Sequence, residues 1–167
     1  MLSTIIFSQF AQLCPYHLGK GRGWTLERVD EVADTLTPEE RSERMRRIRS
    51  KDTKPEWKVR RLLHKARYRY RLQGRHLPGK PDLVFPSRKI VLFVHGCFWH
   101  QHRQCKIAHI PKSRSSYWQA KFRRNAERDA SNAATLTELG WRVVVVWECE
   151  TADPDALLSR LAAELDR

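Results

Sequence analysis

The stretch from Ile90 to Cys105 constrains the fold of this chain more than any other. It reads IVLFVHGCFWHQHRQC. Its first five residues, Ile90–Val94, are all apolar, which is typical of a buried strand, and Gly96 ends the run. Three histidines and two cysteines lie between Val94 and the end of this stretch. The sequence therefore predicts a buried strand followed by a loop that is rich in metal-binding side chains.

The cysteines and one histidine of this loop have the spacing of a metal site. Cys97, His102 and Cys105 are spaced C-x4-H-x2-C, and thiolate and imidazole are the side chains that bind zinc. A closed structural site needs a fourth ligand. Cys149 is the natural candidate, because it follows a second apolar run, Val143–Trp147, that can lie beside the first strand. We therefore expect structural zinc rather than disulfides, which indicates a reducing, cytoplasmic compartment.

The positive charge of the chain is concentrated in one segment. Lys and Arg total 32 against 19 Asp and Glu, so the net charge is +13. Residues 41–75 contain 15 of the basic residues and only three acidic ones. Such a field favours a polyanion, above all nucleic acid, although a solvated basic surface has the same composition. No apolar run approaches the roughly 20 residues that span a bilayer, so no membrane partner is expected.

Capping motifs and periodicity predict the element order α-α-β-β-β-α-β-α. Thr37–Glu40 and Thr53–Glu56 are capping boxes that each begin a helix. The other predicted elements are strands at Tyr68–Leu72, Pro81–Phe85, Ile90–Val94 and Trp141–Trp147, a helix at Ser115–Leu139 that Gly140 ends, and an amphipathic helix from about Asp153. This order predicts one α/β domain at residues 37–167, a mixed sheet of about four strands flanked by helices, after a loosely ordered extension at residues 1–36.

The long predicted helix has two contrasting faces. Spacings of three and four residues place Trp118, Lys121, Asn125 and Asp129 on one polar face, where a tryptophan is unusual. The opposite face is predicted to pack on the sheet through small residues, namely Ala120, Ala126, Ala130, Ala133 and Leu136.

A basic domain with carboxylates and histidines near strand ends points to metal-assisted phosphodiester cleavage. This reaction needs a hard cation held by carboxylate oxygens and a group that moves a proton. Asp82 is suited to the first task, or to capping a turn, and His95 or His100 to the second, because imidazole titrates near neutral pH. Glu56 has two interpretations from local sequence, as the last residue of a capping box or as an inward metal-binding carboxylate.

Four blocks of the sequence resemble the very short patch repair (Vsr) endonucleases. These blocks are PGKPD at 78–82, FVHGCFWH at 93–100, NAERD at 125–129, and GWRV with VWEC at 140–149. The resemblance extends from about residue 41 to residue 149, and the HGCFWH block is its most specific part. It implies a fold like that of the type II restriction enzymes, with a structural zinc site. It also implies nicking of double-stranded DNA beside a T:G mismatch, the lesion that deamination of 5-methylcytosine leaves.

The resemblance further implies a role for each matching residue. Asp82 would bind magnesium, with His95 and His100 as catalytic histidines and Glu56 as a supporting acid. Where family members often have threonine, this chain has Val94, so only its main-chain carbonyl can be a magnesium ligand. The matched zinc ligands are Cys97, His102, Cys105 and Cys149. The matched DNA-binding residues are Phe98, Trp99 and Trp118, which would wedge into the base stack, Met45, which would probe the opposite groove, and Lys121 and Asn125, which would read the mismatched pair.

Two other functions share parts of this pattern. A non-catalytic, zinc-stapled DNA-binding module would account for the charge, the zinc ligands and the aromatic residues, but not for Asp82, Glu56, His95 and His100 together. A restriction-type nuclease acting on undamaged DNA would share the active site and differ in substrate. A monomer is expected because a T:G site has no twofold symmetry. Mismatch-repair proteins are candidate partners, and a bacterial, nucleoid-associated location follows from a DNA substrate.

Overall fold

A computed structural model of the chain describes residues 37, 39, 40, 43, 46, 51–112 and 114–167. The elements of these residues, in chain order, are α1 (Lys54–Lys65), β1 (Arg71–Leu72), β2 (Leu83–Phe85), β3 (Ile90–His95), α2 (Ser115–Glu138), β4 (Arg142–Trp147) and α3 (Pro154–Leu165), with 3-10 turns at Pro86–Arg88 and Glu148–Ala152. The predicted α/β class is confirmed. None of the described helices has the length and apolarity that crossing a membrane requires.

The four strands form one mixed sheet in the order β1-β2-β3-β4. β1 and β2 are antiparallel, β2 and β3 are antiparallel, and β3 and β4 are parallel. The parallel pair is in register from Ile90 opposite Arg142 to His95 opposite Trp147. The carboxyl ends of β3 and β4 therefore meet at one edge of the sheet, where the ligand-rich loop begins.

Helices cover both faces of the sheet. On one face, α1 and α3 pack through Val59, Leu63, Leu157 and Leu161, all at most 3% exposed, against apolar residues of β2, β3 and β4. On the other face, Leu136 of α2 joins a second buried cluster that contains residues of β2 and β3. This layered burial supplies most of the stabilisation that the strands need, because each short strand is unstable alone.

Both predicted capping boxes are present. The Thr53 hydroxyl accepts a hydrogen bond from the Glu56 main-chain N–H, and the Glu56 carboxylate accepts one from the Thr53 N–H. Thr37 and Glu40 exchange the same pair of bonds at 2.8 and 3.2 Å. The next described residues, Glu39, Glu40, Glu43 and Arg46, are helical. The extension at 1–36 and the remainder of the first predicted helix lie outside the described residues.

Two details of the predicted elements are wrong. The strand predicted at Tyr68–Leu72 is reduced to two edge residues, because Arg67 has a positive φ of 67° and the Tyr68 and Tyr70 side chains bond to Asp166 and to the Arg60 carbonyl. The packing face of α2 is also different. Ala133 and Leu136 are buried as predicted, but Ala120 and Ala130 are exposed, and the first half of the helix buries Trp118 and Phe122 in their place.

Candidate active site and metal centre

Three chain segments bring their polar side chains to the same edge of the sheet. The antiparallel register pairs Leu83 with Leu92, which places the preceding Asp82 beside the carboxyl end of β3. One Asp82 oxygen accepts a 2.8 Å hydrogen bond from the Val94 main-chain N–H. Asp82 and His95 therefore lie at the same end of the sheet, which the sequence alone left open.

The four predicted zinc ligands converge next to this edge. Donor atoms of Cys97, His102, Cys105 and Cys149 all lie within 4.8 Å of one another. The His102 Nδ1 atom is 3.3 Å from the Cys149 sulfur and 3.7 Å from the Cys97 sulfur. Three thiols and one imidazole around one point are the donor set of a closed, structural zinc site, so these residues fit that ion.

We call Cys97, His102, Cys105 and Cys149 the cysteine set. The main chain around this set favours thiolates. The Cys149 N–H points at the Cys97 sulfur at 3.4 Å, and such bonds support negative sulfur ligands. Burial raises the pKa of the Cys97 thiol to about 12. Metal binding at this set would therefore have to displace a proton from Cys97.

A second set of donors lies on the other side of His95. The His95 and His100 rings stack with centroids 3.9 Å apart, and the His100 Nδ1 atom is 2.5 Å from an Asp129 carboxylate oxygen. Burial, followed by the nearby His100 charge, lowers the pKa of His95 to about 3. His95 is therefore neutral at pH 7 and has a nitrogen that can accept a proton. Burial is the largest single effect on Asp129 and raises its pKa, but the hydrogen bond with His100 and the nearby charges of His100, His95 and Arg128 together lower the pKa below its usual value.

Asp82 is enclosed and electrostatically destabilised as an anion. Burial raises its pKa to about 6, against the opposing effect of the Val94 hydrogen bond, and the nearby Glu56 charge raises it further. A bound cation would relieve this cost, because an adjacent positive charge favours the carboxylate. The raised pKa of Asp82 therefore makes this residue a candidate metal ligand. Its side-chain hydrogen bond is with Val94 of β3 and not with the turn that precedes β2.

Glu56 has the capping role, the first of the two that the sequence left open. Its side chain is 5% exposed, and its oxygens accept bonds from the Thr53 hydroxyl and from the N–H groups of Asp52 and Thr53. The buried Arg60 guanidinium lies 2.8 Å from Glu56 and also pairs with Asp52. Glu56 is therefore a helix cap whose charge also reaches Asp82.

Removing the charge of Arg60 should destabilise the protein. Arg60→Met leaves the buried Glu56 carboxylate without its counterion, and breaking a buried pair in this way costs about 3 kcal/mol. Urea unfolding at pH 7.5 measures the loss. The matched control is Arg61→Met, an exposed neighbour on α1 that should change the free energy of unfolding by less than about 0.5 kcal/mol. Equal stability of the two variants would contradict this account of Glu56.

The predicted DNA-binding aromatic residues form one cluster. Phe98 contacts Trp99, Trp118 and Phe122 edge to face, with centroids 5.0 to 5.4 Å apart. Trp118 is 6% exposed, so the tryptophan of the predicted polar face is buried. The loop residue Phe98 packs against Trp118 and Phe122 in the first half of α2. This contact explains why an aromatic pair follows Cys97.

The two predicted base-reading residues lie over this cluster. The Lys121 Nζ atom is 5.7 Å from the centroid of the Trp99 ring, a cation–π distance. The Asn125 side-chain amide donates to the Trp99 carbonyl at 3.0 Å and accepts from Arg128 at 2.9 Å. Both residues therefore lie beside the aromatic cluster, as expected from their shared helix face. Met45 lies outside the described residues.

The structural roles of three polar residues could not be predicted from the sequence. Asp129 was placed on the right face of α2, but its partner His100 is 29 residues away in the chain. Arg60 was one basic residue among many on α1. Glu148, which accepts from the Cys97 N–H at 3.3 Å, is adjacent to Cys149 and was read only as part of a motif. Helical spacing from Lys121 was the only local signal for Asp129.

Comparisons with known proteins identify the family to which the sequence is similar. Residues 33–106 match the family described as DNA mismatch endonuclease Vsr. The chain is 53% identical over 135 residues to the type II nicking enzyme V.XorIIP of Xanthomonas oryzae pv. oryzae, covering 81% of this chain and 98% of that protein. It is 43% identical to the type II nicking enzyme V.NmeAIP of Neisseria meningitidis, over 78% of this chain and 92% of that protein.

A third relative carries the family name itself. The chain is 40% identical over 135 residues to the DNA mismatch endonuclease Vsr of Escherichia coli K12, which covers 78% of this chain and 86% of that protein. Identity at this level over nearly the whole relative establishes common ancestry and fold, as the resemblance of the HGCFWH block implied. The chain therefore belongs to the Vsr family of DNA mismatch endonucleases.

Proposed function

We propose that this protein is a DNA endonuclease that nicks duplex DNA beside a T:G mismatch by magnesium-dependent hydrolysis of one phosphodiester bond. The observation that carries the proposal is the meeting of Asp82, His95, His100 and Asp129 at one sheet edge, beside an aromatic cluster. Carboxylate, neutral imidazole and aromatic surface are what cleavage next to a distorted base pair requires.

Asp82 and the Val94 carbonyl would hold the magnesium ion. A single carboxylate suffices, because this ion takes its remaining ligands from phosphate oxygens and water. When bound, magnesium supplies positive charge that offsets the charge of the phosphate and promotes ionisation of water. The high pKa of Asp82 supports this assignment, since a bound cation and the carboxylate stabilise each other.

The histidines would move the protons. His95 is neutral at pH 7 and can accept a proton from water, and an approaching phosphate raises its pKa and its basicity. His100 is oriented by Asp129 in the manner of a carboxylate that fixes a catalytic imidazole. Glu56 would act at a distance, through its charge beside Asp82, because its oxygens already accept bonds from its own helix cap.

Recognition would begin with the basic surface and end at the aromatic cluster. Trp99 is half-buried, whereas Trp118 must change its side-chain position before it can insert between bases. Insertion of aromatic wedges kinks a duplex and is easiest where pairing is already weak, as at a T:G pair. Lys121 and Asn125, beside Trp99, are within reach of a pair opened in this way. Met45 would contact the opposite groove.

Zinc in the cysteine set would hold the loop that carries this apparatus. Residues 96–105 contain no strand or α-helix, and their shape depends on short turns such as the bond from the His100 N–H to the Gly96 carbonyl. Four ligands from two strand ends would fix both His100 and the aromatic pair, which lie between Cys97 and His102 in the chain.

Chelation separates this function from a non-catalytic binding module. Brief exposure to EDTA should abolish nicking of a T:G duplex, while the affinity for that duplex in a gel-shift assay falls less than threefold. Magnesium added back should restore nicking. A module without catalysis would bind equally well in both conditions and never nick, and that result would contradict the proposal.

Asp129 should be needed for the rate and not for binding. Asp129→Asn removes the negative charge beside His100 and replaces an acceptor-only carboxylate by an amide that can also donate, so the His100 tautomer is no longer fixed. We expect single-turnover nicking to slow by about 100-fold, with unchanged DNA affinity. Glu127→Gln, an exposed residue on the same helix, is the matched control and should nick at the wild-type rate. Equal rates for the two variants would show that His100 needs no carboxylate.

A further inference from the structure

One aromatic residue lies between the cysteine set and the histidine pair. The Trp147 ring stacks on the His102 ring with centroids 4.2 Å apart and planes 6° from parallel. The same ring meets His95 edge to face, with centroids 5.5 Å apart and an angle of 76°. Trp147 therefore contacts one residue of the cysteine set and one of the proposed catalytic residues at the same time.

The strand register puts Trp147 in this place. It is the last residue of β4 and pairs with His95, the last residue of β3, so their side chains are neighbours on the same face of the sheet. The Trp147 N–H donates to a Glu150 oxygen at 2.7 Å, and Arg160 forms an ion pair with Glu150 at 2.9 Å. The main chain at Trp147 is thus held, and the ring position depends on its neighbours.

The contacts continue beyond His95. His95 stacks on His100, which bonds to Asp129. Four rings in contact therefore connect the cysteine set to Asp129, in the order His102, Trp147, His95 and His100.

We propose that Trp147 is a positioning residue that couples zinc binding in the cysteine set to the orientation of the His95 ring. Coordination through nitrogen fixes the plane of a histidine ring. His102 held in this way restricts Trp147 through their planar contact, and the Trp147 face restricts His95. The inference rests on the proposed function, because it takes zinc to occupy the cysteine set and His95 to act in nicking.

Substitution of Trp147 tests the second half of this coupling. Trp147→Leu should bind one zinc ion per chain, shift the His95 ring signals in long-range ¹H–¹⁵N NMR spectra, and lower kcat about 10- to 30-fold with KM changed less than twofold. Trp147→Phe keeps a ring and should recover kcat to within about threefold of wild type. The control Trp141→Leu, immediately before the opposite end of β4, should leave the His95 signals and kcat unchanged.

His102→Cys tests the first half of this coupling, from the cysteine set to Trp147, while leaving the Trp147 side chain itself unchanged. Four cysteines form a stable structural zinc site, so this variant should retain one zinc ion while losing the ring that stacks on Trp147. We expect the same His95 shifts and the same fall in kcat as in Trp147→Leu. The proposal is overturned if His102→Cys retains one zinc ion and its His95 signals and kcat are those of the wild type.

The NMR measurement keeps this inference separate from the proposed activity. If the His95 signals shift in His102→Cys and Trp147→Leu while the wild-type protein nicks no T:G duplex, the coupling stands and the proposed function fails. If the wild-type protein nicks and those signals do not move, the function stands and the coupling fails.

Discussion

Replacement of Cys149 by serine is expected to abolish the zinc binding proposed for the cysteine set and to lower the free energy of unfolding of the zinc-loaded protein by at least about 3 kcal/mol, since metal binding at such sites is part of the folding free energy. Cys149 is the one ligand that comes from beyond β4, whereas the other three lie in the loop after β3. Its loss therefore leaves an open three-ligand set and removes the link between the two strand ends.

Zinc content and urea unfolding, measured on the same samples, check this expectation. Ser159→Ala, an exposed residue on α3 outside the cysteine set, is the control and should keep one zinc ion and a free energy of unfolding within about 0.5 kcal/mol of the wild type. Retention of one tightly held zinc ion and unchanged unfolding in Cys149→Ser would contradict the structural role of the site.

Asp82→Asn is expected to reduce nicking by at least about 1,000-fold and yet to stabilise the protein at pH 7.5 by about 2 kcal/mol. The loss of activity follows because an amide is a poor magnesium ligand compared with a carboxylate. The stabilisation follows from burial, which raises the pKa of Asp82 to about 6, from an unperturbed value of 3.8. The asparagine oxygen can still accept the Val94 hydrogen bond.

The sign of the pH dependence follows from this pKa. A carboxyl with a raised pKa in the folded state ionises less readily there than in the unfolded chain. Wild-type stability therefore falls as the pH rises from about 4 to about 6, and Asp82→Asn lacks this fall. The two proteins should have equal stability near pH 3.5 and differ by the full amount above pH 6.5.

Thermal or urea unfolding across this pH range measures the difference. The exposed Asp155→Asn should show no such divergence from wild type. Magnesium should stabilise the wild type above pH 6 and leave Asp82→Asn unaffected. A variant that is less stable than wild type at every pH would contradict the electrostatic description of Asp82.

The sheet and its ligand-rich edge could be predicted because their signals are local. Ile90–Val94 and Val143–Val146 are uninterrupted apolar runs, and two such runs have few ways to be buried other than side by side. Once β3 and β4 are paired, Cys97 and Cys149 follow their strand ends at equal distances, so the fourth ligand follows from the pairing. The capping box that begins α1 could also be predicted, because Thr53 and Glu56 are only three residues apart.

The contacts that were missed depend on distant parts of the chain. The α2 face was misjudged because Phe98, in a loop, supplies apolar surface that buries Trp118, and helical periodicity does not reveal such a partner. The histidine run was ambiguous for the same reason. His100 pairs with Asp129, whereas His102 faces the cysteines. The conformation of the folded loop decides which histidine has which partner. Arg60 could not be singled out among exposed basic neighbours.

Single-turnover nicking of a labelled duplex tests the central claim most directly. Two duplexes that differ only in a T:G or a C:G pair are incubated with magnesium and wild-type protein, and with Asp82→Ala in parallel. We predict one nick beside the mismatch in the T:G duplex, none in the C:G duplex, and none with Asp82→Ala, although that variant still binds the T:G duplex. Cleavage of both duplexes at equal rates would contradict mismatch recognition and would favour a restriction-type nuclease.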